Sequence, residues 1–319
     1  MSYVLRLLTG LASPAGSEAR LSVLIFHRVL ANPDPLFPQE TTAETFAWQV
    51  ATLKRVFNVL PLEQAVSLLQ SRALPARAAA ITFDDGYRDN AEIALPILRS
   101  HGVPATFFIA SGFLDGGCMW NDVVIETVRR SPLRTLELGA LSMQNMPIET
   151  LTQKRQAVTT LIGKLKYLDL QTRAEQADML AKLGGVDPPR DLMMSSAQVR
   201  ELFAAGMGIG AHTVHHPILA RLNIDAARAE IENGKHALEN LIQAPINLFA
   251  YPNGKPNEDY NAEHVDLAQA LGFSAAFSTA WGTASRHSDL FQLPRFTPWD
   301  RTPLRFGARL AHNLVRNRH

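Results

Sequence analysis

The sequence predicts an α/β fold built on a parallel sheet. Three observations carry this: short apolar runs recur along the chain, amphipathic segments of helix length separate them, and glycines close several of those segments. The strand candidates are Leu21–Phe26, Ala78–Phe83, 103–109, 207–211, 246–250 and 273–277, each composed of residues that tolerate burial on both faces. Between them, residues 45–56, Leu62–Gln70, 90–100, 226–242 and 262–271 carry the helical period, with Gly102 and Gly272 as stops. Six such units favour a closed or nearly closed barrel over an open sheet, although periodicity alone does not decide closure.

Composition narrows the class. The 319 residues are about twice the usual domain prior of ~150, so one large domain or two smaller ones fit. With 46% hydrophobic and 19% charged residues the chain is an ordinary globular one, which excludes disordered, collagen-like and coiled-coil classes. Lys and Arg total 31 against 30 Asp and Glu, so nothing in the charge balance favours nucleic acid as a partner. The single Cys118 excludes an intramolecular disulfide and a multi-cysteine zinc site. No stretch approaches the ~18 to 20 apolar residues that cross a bilayer, so no integral membrane segment is expected. Arg6 precedes only a short, broken apolar patch, so the expectation is a cytoplasmic protein without a secretory signal, peripheral contact with a membrane being left open.

One spacer is too long for a simple crossover. About 80 residues, from Phe113 to Ser195, separate two strand candidates. Within it Leu151, Val158, Leu161, Ile162, Leu165 and Leu168 fall largely on one helical face, and Pro188 and Pro189 punctuate the exit. The expectation is a helical insertion at about 113–195, packed beside the sheet, with Ser195 capping the helix that returns and Gly206 stopping it. The expected organisation is an N-terminal segment 1–20, a barrel domain 21–300 and a basic C-terminal helix 301–319.

The strongest chemical signal is Ile81-Thr82-Phe83-Asp84-Asp85-Gly86-Tyr87, a buried-type strand ending in two carboxylates and a glycine. Adjacent like charges repel unless a cation or proton relieves them, and strand carboxyl ends are where parallel folds bind ligands. The plainer alternative is that one aspartate caps the next helix. The second signal is His212-Thr213-Val214-His215-His216-Pro217, directly after the 207–211 strand. His212 and His216 stand four apart, a spacing that lets two imidazoles converge on one ion, whereas His215 reads as a neighbour. Asp85, His212 and His216 together offer one carboxylate and two imidazoles, leaving positions for water and substrate. Asp84 would then be free to act as a general base.

Thr-Phe-Asp-Asp-Gly-Tyr followed by His-Thr-x-x-His-Pro resembles the polysaccharide deacetylases of carbohydrate esterase family 4, over about residues 21–298. The resemblance implies a distorted (β/α)7 barrel and metal-dependent hydrolysis of N-acetyl groups on amino sugars of a polysaccharide or a lipid-linked glycan precursor. It implies Asp84 as general base, Asp85, His212 and His216 as ligands of a divalent ion, zinc first among them, and Tyr87 as the close of the first motif.

Further family features match unevenly. The backbone N–H that follows a proline and holds the oxyanion corresponds to Asn253 in Tyr251-Pro252-Asn253-Gly254, yet Ala250 stands where the family has an arginine. Arg295 resembles the substitute found in relatives with this variant; the alternative is an ordinary surface arginine. The late Leu-x-His motif that supplies the general acid is missing at Phe277-Ser278-Thr279, and Leu310-Ala311-His312 lies in a basic tail where a solvated histidine is expected. His27, at the end of the first strand, is the better candidate for a site role, the alternative being a histidine hydrogen-bonded to the next loop, and the identity of the acid stays open. Trp120 and Asp122 are candidates for lining a sugar cleft. The partner implied is an acetylated amino-sugar glycan, with a deformylase of a lipid-linked amino sugar or a weakly catalytic glycan-binding protein as alternatives, and with the oligomeric state open.

Overall fold

The computed structural model describes residues 2–316. Helix α1 (Ser2–Ala12) precedes β1 (Leu21–Phe26), which is followed by α2 (Ala43–Val56), the short β2 (Asn58–Val59), α3 (Leu62–Gln70) and β3 (Ala78–Phe83). A π-helical turn over Asn90–Ala94 runs into α4 (Leu95–His101) and then β4 (Thr106–Ile109). The insertion contains α5 (Trp120–Arg130), an antiparallel pair β5 (Thr135–Leu136) and β6 (Met146–Pro147), α6 (Leu151–Leu165) and α7 (Leu170–Leu183). The chain returns through α8 (Ser196–Ala204), β7 (Gly208–Ala211), α9 (Ile224–Ile242), β8 (Leu248–Ala250), α10 (Ala262–Ala270), β9 (Ala275–Phe277) and α11 (Pro303–Arg316).

The sheet runs β1-β3-β4-β7-β8-β9, every pair parallel, with β2 pairing the first half of β3. Parallel pairing puts every strand's carboxyl end on one rim. Residues 293–296 close the ring. Leu293 donates to Ala276 O and accepts from Ser278 N, both at 2.9 Å, while Phe296 donates to Val23 O and accepts from Ile25 N, both at 3.0 Å. This extended segment is the seventh rung of a distorted (β/α)7 barrel. Its four residues and Pro294 give it no strand-like signal in the sequence.

Between the sheet and the outer helices α2 and α4 the core is aromatic on the β1–β3–β4 side. Phe83 stacks on Phe107 and Phe26 at 4.8 and 5.4 Å between ring centroids and meets Phe46 edge-on at 5.5 Å. The insertion has an apolar core of its own, in which Val124, Leu136, Leu138, Leu161, Leu165 and Leu180 are all buried. Thr150 and Gln153 form the capping box that starts α6, and Ser195 and Gln198 form the one that starts α8. On the outside, α1 lies against α11 where a Cβ on Gly307 would stand 2.5 Å from Leu5 Cδ2, so glycine there sets how closely the two helices approach.

Four local expectations change. The strand expected over 103–109 begins at Thr106, because the Val103 N–H closes α4 on Leu98 O at 3.0 Å and Pro104 has no N–H. The helix expected over 90–100 opens as the π turn. Leu151 is exposed rather than in the apolar face, since it directly follows the Thr150 cap and turns outward. Segment 1–20 contains helix α1. Residues 317–319 of the expected C-terminal helix lie outside the described residues.

Removing the ring that joins three strands and α2 leaves a cavity in a fully buried cluster. Phe83→Ala is expected to lower stability by about 3–5 kcal/mol, read from the shift of the urea-unfolding midpoint at unchanged slope.

Candidate active site

Asp84 and Asp85 leave the end of β3 in different directions because the chain turns sharply there. The Asp84 N–H still continues the ladder to Phe26 O at 2.9 Å, then Gly86 N returns to Asp84 O at 3.0 Å. Asp85 and Gly86 both adopt left-handed backbone conformations, φ +75° and +92°, and a Cβ on Gly86 would already press on Ile109 at 3.1 Å. Asp84 points into the barrel and meets Arg295 from the seventh rung. The guanidinium donates to both carboxylate oxygens, Nη1 to Oδ1 at 2.7 Å and Nη2 to Oδ2 at 2.8 Å, with Thr82 Oγ1 and Ser278 O as further acceptors. Arg295 is 0% exposed, which removes the surface-arginine alternative. Burial alone would push the Asp84 carboxyl up; Arg295, together with His212, holds it below the usual carboxylate range.

The two histidines arrive on the loop after β7. His212 is buried, and its Nδ1 lies 2.7 Å from Ala250 O. A carbonyl can only accept, so the proton sits on Nδ1 and the Nε2 lone pair faces the aspartates. Thr213 and His216 take left-handed conformations, φ +65° and +50°, which fold the loop back so that His216 approaches from the other side. The loop is tied down from α9. Glu230 accepts from the backbone N–H groups of Val214 and His215 at 3.1 and 2.8 Å and pairs with His215 Nδ1 at 2.8 Å. His215, a neighbour in the sequence, thus acts in holding the loop. Nothing in the spacing of Glu230 signals this role.

Asp85 Oδ1 lies 3.5 Å from His212 Nε2 and 3.4 Å from His216 Nε2. Those separations are long for hydrogen bonds, and Oδ1 is a buried oxygen with no hydrogen-bond partner. They match the ~3.4 Å between neighbouring ligands about 2.0–2.1 Å from a tetrahedral ion. The donor set, one carboxylate and two imidazoles within 4.8 Å of one another, therefore fits a divalent cation such as zinc. Burial raises and the imidazoles lower the Asp85 carboxyl, with a net fall; burial takes His216 down to about 4, so both are held in the deprotonated form that a metal requires.

Other expected residues sit around the rim. Asn253, φ +58°, follows β8 in a turn held by Thr279 Oγ1 on its carbonyl, and its N–H has no acceptor among the described residues. His27 is exposed at the end of β1, near enough to act electrostatically on Asp84, Asp85 and His216. His312 is exposed on α11, away from the rim. Trp120 lines a cavity of the insertion. Asp122 does not line it: the carboxylate is buried behind Tyr87, whose hydroxyl donates to it at 3.0 Å, and burial pushes it up to about 7. Arg28 lies over the Tyr87 ring at 4.8 Å and pairs with Asp89 at 2.8 Å, which ties the first motif to the end of β1.

The family model for polysaccharide deacetylase matches residues 71–276, which span both motifs. The protein YxkH of Bacillus subtilis strain 168 is 20% identical over 277 residues, 87% of this chain and 71% of that one. Among solved structures, the Streptococcus pyogenes deacetylase PplD in complex with acetate superposes with a TM-score of 0.60 at 19% identity, covering 93% of this chain and 98% of that chain. IcaB from Ammonifex degensii gives 0.60 at 19% identity, covering 95% and 98%. The chain belongs to the polysaccharide deacetylase family and with it to the N-deacetylases, hydrolases of linear amides on sugars.

The Arg295–Asp84 pair predicts a measurable acid dependence. Asp84 has a depressed folded-state pKa, so its contribution to stability is present above the unfolded carboxylate value of about 3.9 and is lost as pH falls through the lower folded value. Arg295→Met leaves a buried unpaired carboxylate and is expected to lower stability at neutral pH by about 3–5 kcal/mol. Without Arg295 burial holds the Asp84 carboxyl up, so the loss should begin to shrink already as pH falls toward the ordinary carboxylate range and go on shrinking below it. Chemical denaturation followed across that range reads both effects.

Proposed function

We propose that the protein removes N-acetyl groups from amino sugars of a polysaccharide or a lipid-linked glycan precursor, using a divalent ion, zinc first, held by Asp85, His212 and His216. The observation that carries this is the orphaned Asp85 Oδ1 set between two imidazole Nε2 atoms, beside an aspartate kept ionised by a buried arginine. Bound there, a divalent cation supplies Lewis acidity that acidifies water and polarises an amide carbonyl.

The protein's own groups account for the rest. Asp84 remains charged at neutral pH and accepts the proton of the attacking water. Each of its oxygens keeps a lone pair beyond the one engaged by Arg295. Arg295 is a positioning residue: its two parallel hydrogen bonds fix the plane of the carboxylate and keep it from competing for the cation. The Asn253 N–H, without an acceptor among the described residues, is the donor for the developing oxyanion. His27, exposed at the rim, delivers a proton to the departing amine. The products are acetate and a free amino sugar. The fully paired Arg295–Asp84 unit favours this over a glycan-binding role, for which a buried ion pair beside an empty lone pair has no use.

Two measurements test the assignment on N-acetylglucosamine oligomers. Asp84→Asn is expected to lower kcat for acetate release by about 10²–10⁴-fold while bound metal per chain, measured by atomic emission, stays at the wild-type level; unchanged turnover overturns the base. His216→Ala is expected to lose most of its metal after dialysis, and full retention would remove that residue from the site. Release of formate in preference to acetate from matched substrates would move the reaction to deformylation.

A further inference from the structure

The insertion and the histidine loop together enclose a cavity of about 410 Å³, lined among others by Phe113, Cys118, Trp120, Val123, Arg173 and His215. His215 meets Phe113 edge-on and precedes His216 in the chain, so one loop contributes both to the cavity wall and to the candidate metal ligands. Its lining is mostly apolar, with Gln171, Asp178, His215 and Arg173 as the polar and charged members. Arg173, on α7, is 4% exposed, and its guanidinium lies over the Trp120 ring at 4.9 Å.

Among the described residues this guanidinium makes one long hydrogen bond, Nη1 to Lys166 O at 3.4 Å, and no ion pair. Asp178 also lines the cavity, exposed, without pairing to it. The other buried arginine of the site gives the contrast: Arg295 has a carboxylate taken bidentately and two more oxygen acceptors. Burial pulls the Arg173 guanidinium below its ordinary value, and Asp169 offsets only part of that. This largely buried cation, with four of its five N–H donors unused by the protein, stands on the wall of an open cavity and is free to donate to a ligand that enters it. Aromatic rings beside it suit the apolar face of a sugar ring or a hydrocarbon.

We propose that this cavity is a subsite for a substituent of the glycan substrate that carries a phosphate or carboxylate next to an apolar surface, with Arg173 as its ionic anchor. The proposal rests on the deacetylase reading. A planar guanidinium grips either anion through two parallel hydrogen bonds. The anion comes from one of two sources: a phosphate linking the sugar to an aglycone, or the carboxylate of an adjoining acidic sugar.

The experiment compares wild type with Arg173→Gln and Arg173→Lys, metal loaded, on three substrates of equal length: a neutral N-acetylglucosamine oligomer, one ending in a glycosyl phosphate, and one containing a uronic acid. Wild type is expected to favour one charged substrate in kcat/KM, mainly through KM. That preference should fall about tenfold or more in Arg173→Gln and return in part in Arg173→Lys. Which charged substrate is favoured identifies the source. Equal handling of neutral and charged substrates by wild type overturns the anchor, and so does a preference that survives in Arg173→Gln.

Binding is read separately, so that a variant that fails to fold leaves the test intact. Titrating wild-type protein with N-acetylglucosamine 1-phosphate and with glucuronate, against the neutral methyl glycoside, should quench tryptophan fluorescence with the charged ligand of the favoured source only. The quench should be absent in Trp120→Phe. Arg173-dependent binding without acetate release from any substrate keeps the anchor and overturns the deacetylase reading. Acetate release with no anion binding does the reverse. Phosphate binding that is equal in wild type and Arg173→Gln places the ion on the cation and overturns the anchor.

Discussion

The site is organised around one buried ion pair. Arg295 and Asp84 are 211 positions apart in sequence, and both are almost fully withdrawn from solvent. A buried pair of this kind is weak as a source of net stability, because removing both charges from water nearly cancels their attraction. Its value is geometric. With Nη1 and Nη2 each on one carboxylate oxygen, the carboxylate plane is set by the seventh rung of the barrel, so closure of the ring and placement of the proposed base are one event. The same contact holds two adjacent aspartates in different states: one neutralised by an arginine, the other left with a bare oxygen between imidazoles.

The rim around that pair is bent. Asp85, Gly86, Thr213, His216, Asn253 and Gly254 all adopt positive φ, and all six belong to the turns that present the candidate ligands and the oxyanion donor. Left-handed conformations in non-glycine residues are unfavourable alone and persist where the surroundings over-determine them. Here the surroundings are visible: Glu230 ties the histidine loop, Thr279 holds Asn253, and Ile109 stands where it would crowd any Cβ on Gly86. A sheet of parallel strands delivers the side chains to one end; the bent turns aim them.

The sequence shows the parts of this that are local. Asp84, Asp85, His212 and His216 are legible because each pair sits within a few residues of a strand whose apolar run is easily seen, and parallel pairing then brings both strand ends together. Arg295 is legible only by resemblance, since no pattern in four residues containing a proline announces a closing rung. Strand 103–109 is overcounted because apolar character alone does not show that Val103 belongs to the helix stop. The insertion is visible as a length anomaly with a helical face, but its cavity is not: Arg173 and Trp120 lie 53 positions apart and meet only once α5 and α7 pack. Asp122 misleads for a related reason, as its position beside Trp120 suggests a cleft while its side chain turns inward to Tyr87.

Glu230 leaves one further consequence. The loop that bears the two imidazoles takes its shape from bonds to α9, where a Cβ on Gly234 would stand 2.7 Å from Thr213 C, and none of those bonds involves an ion. Small zinc modules collapse without their metal because the ion is their core; this scaffold carries its apolar core elsewhere, and its histidine loop is held by the protein's own bonds. An ion taken up by the proposed ligands would therefore meet a cradle whose shape the chain itself sets.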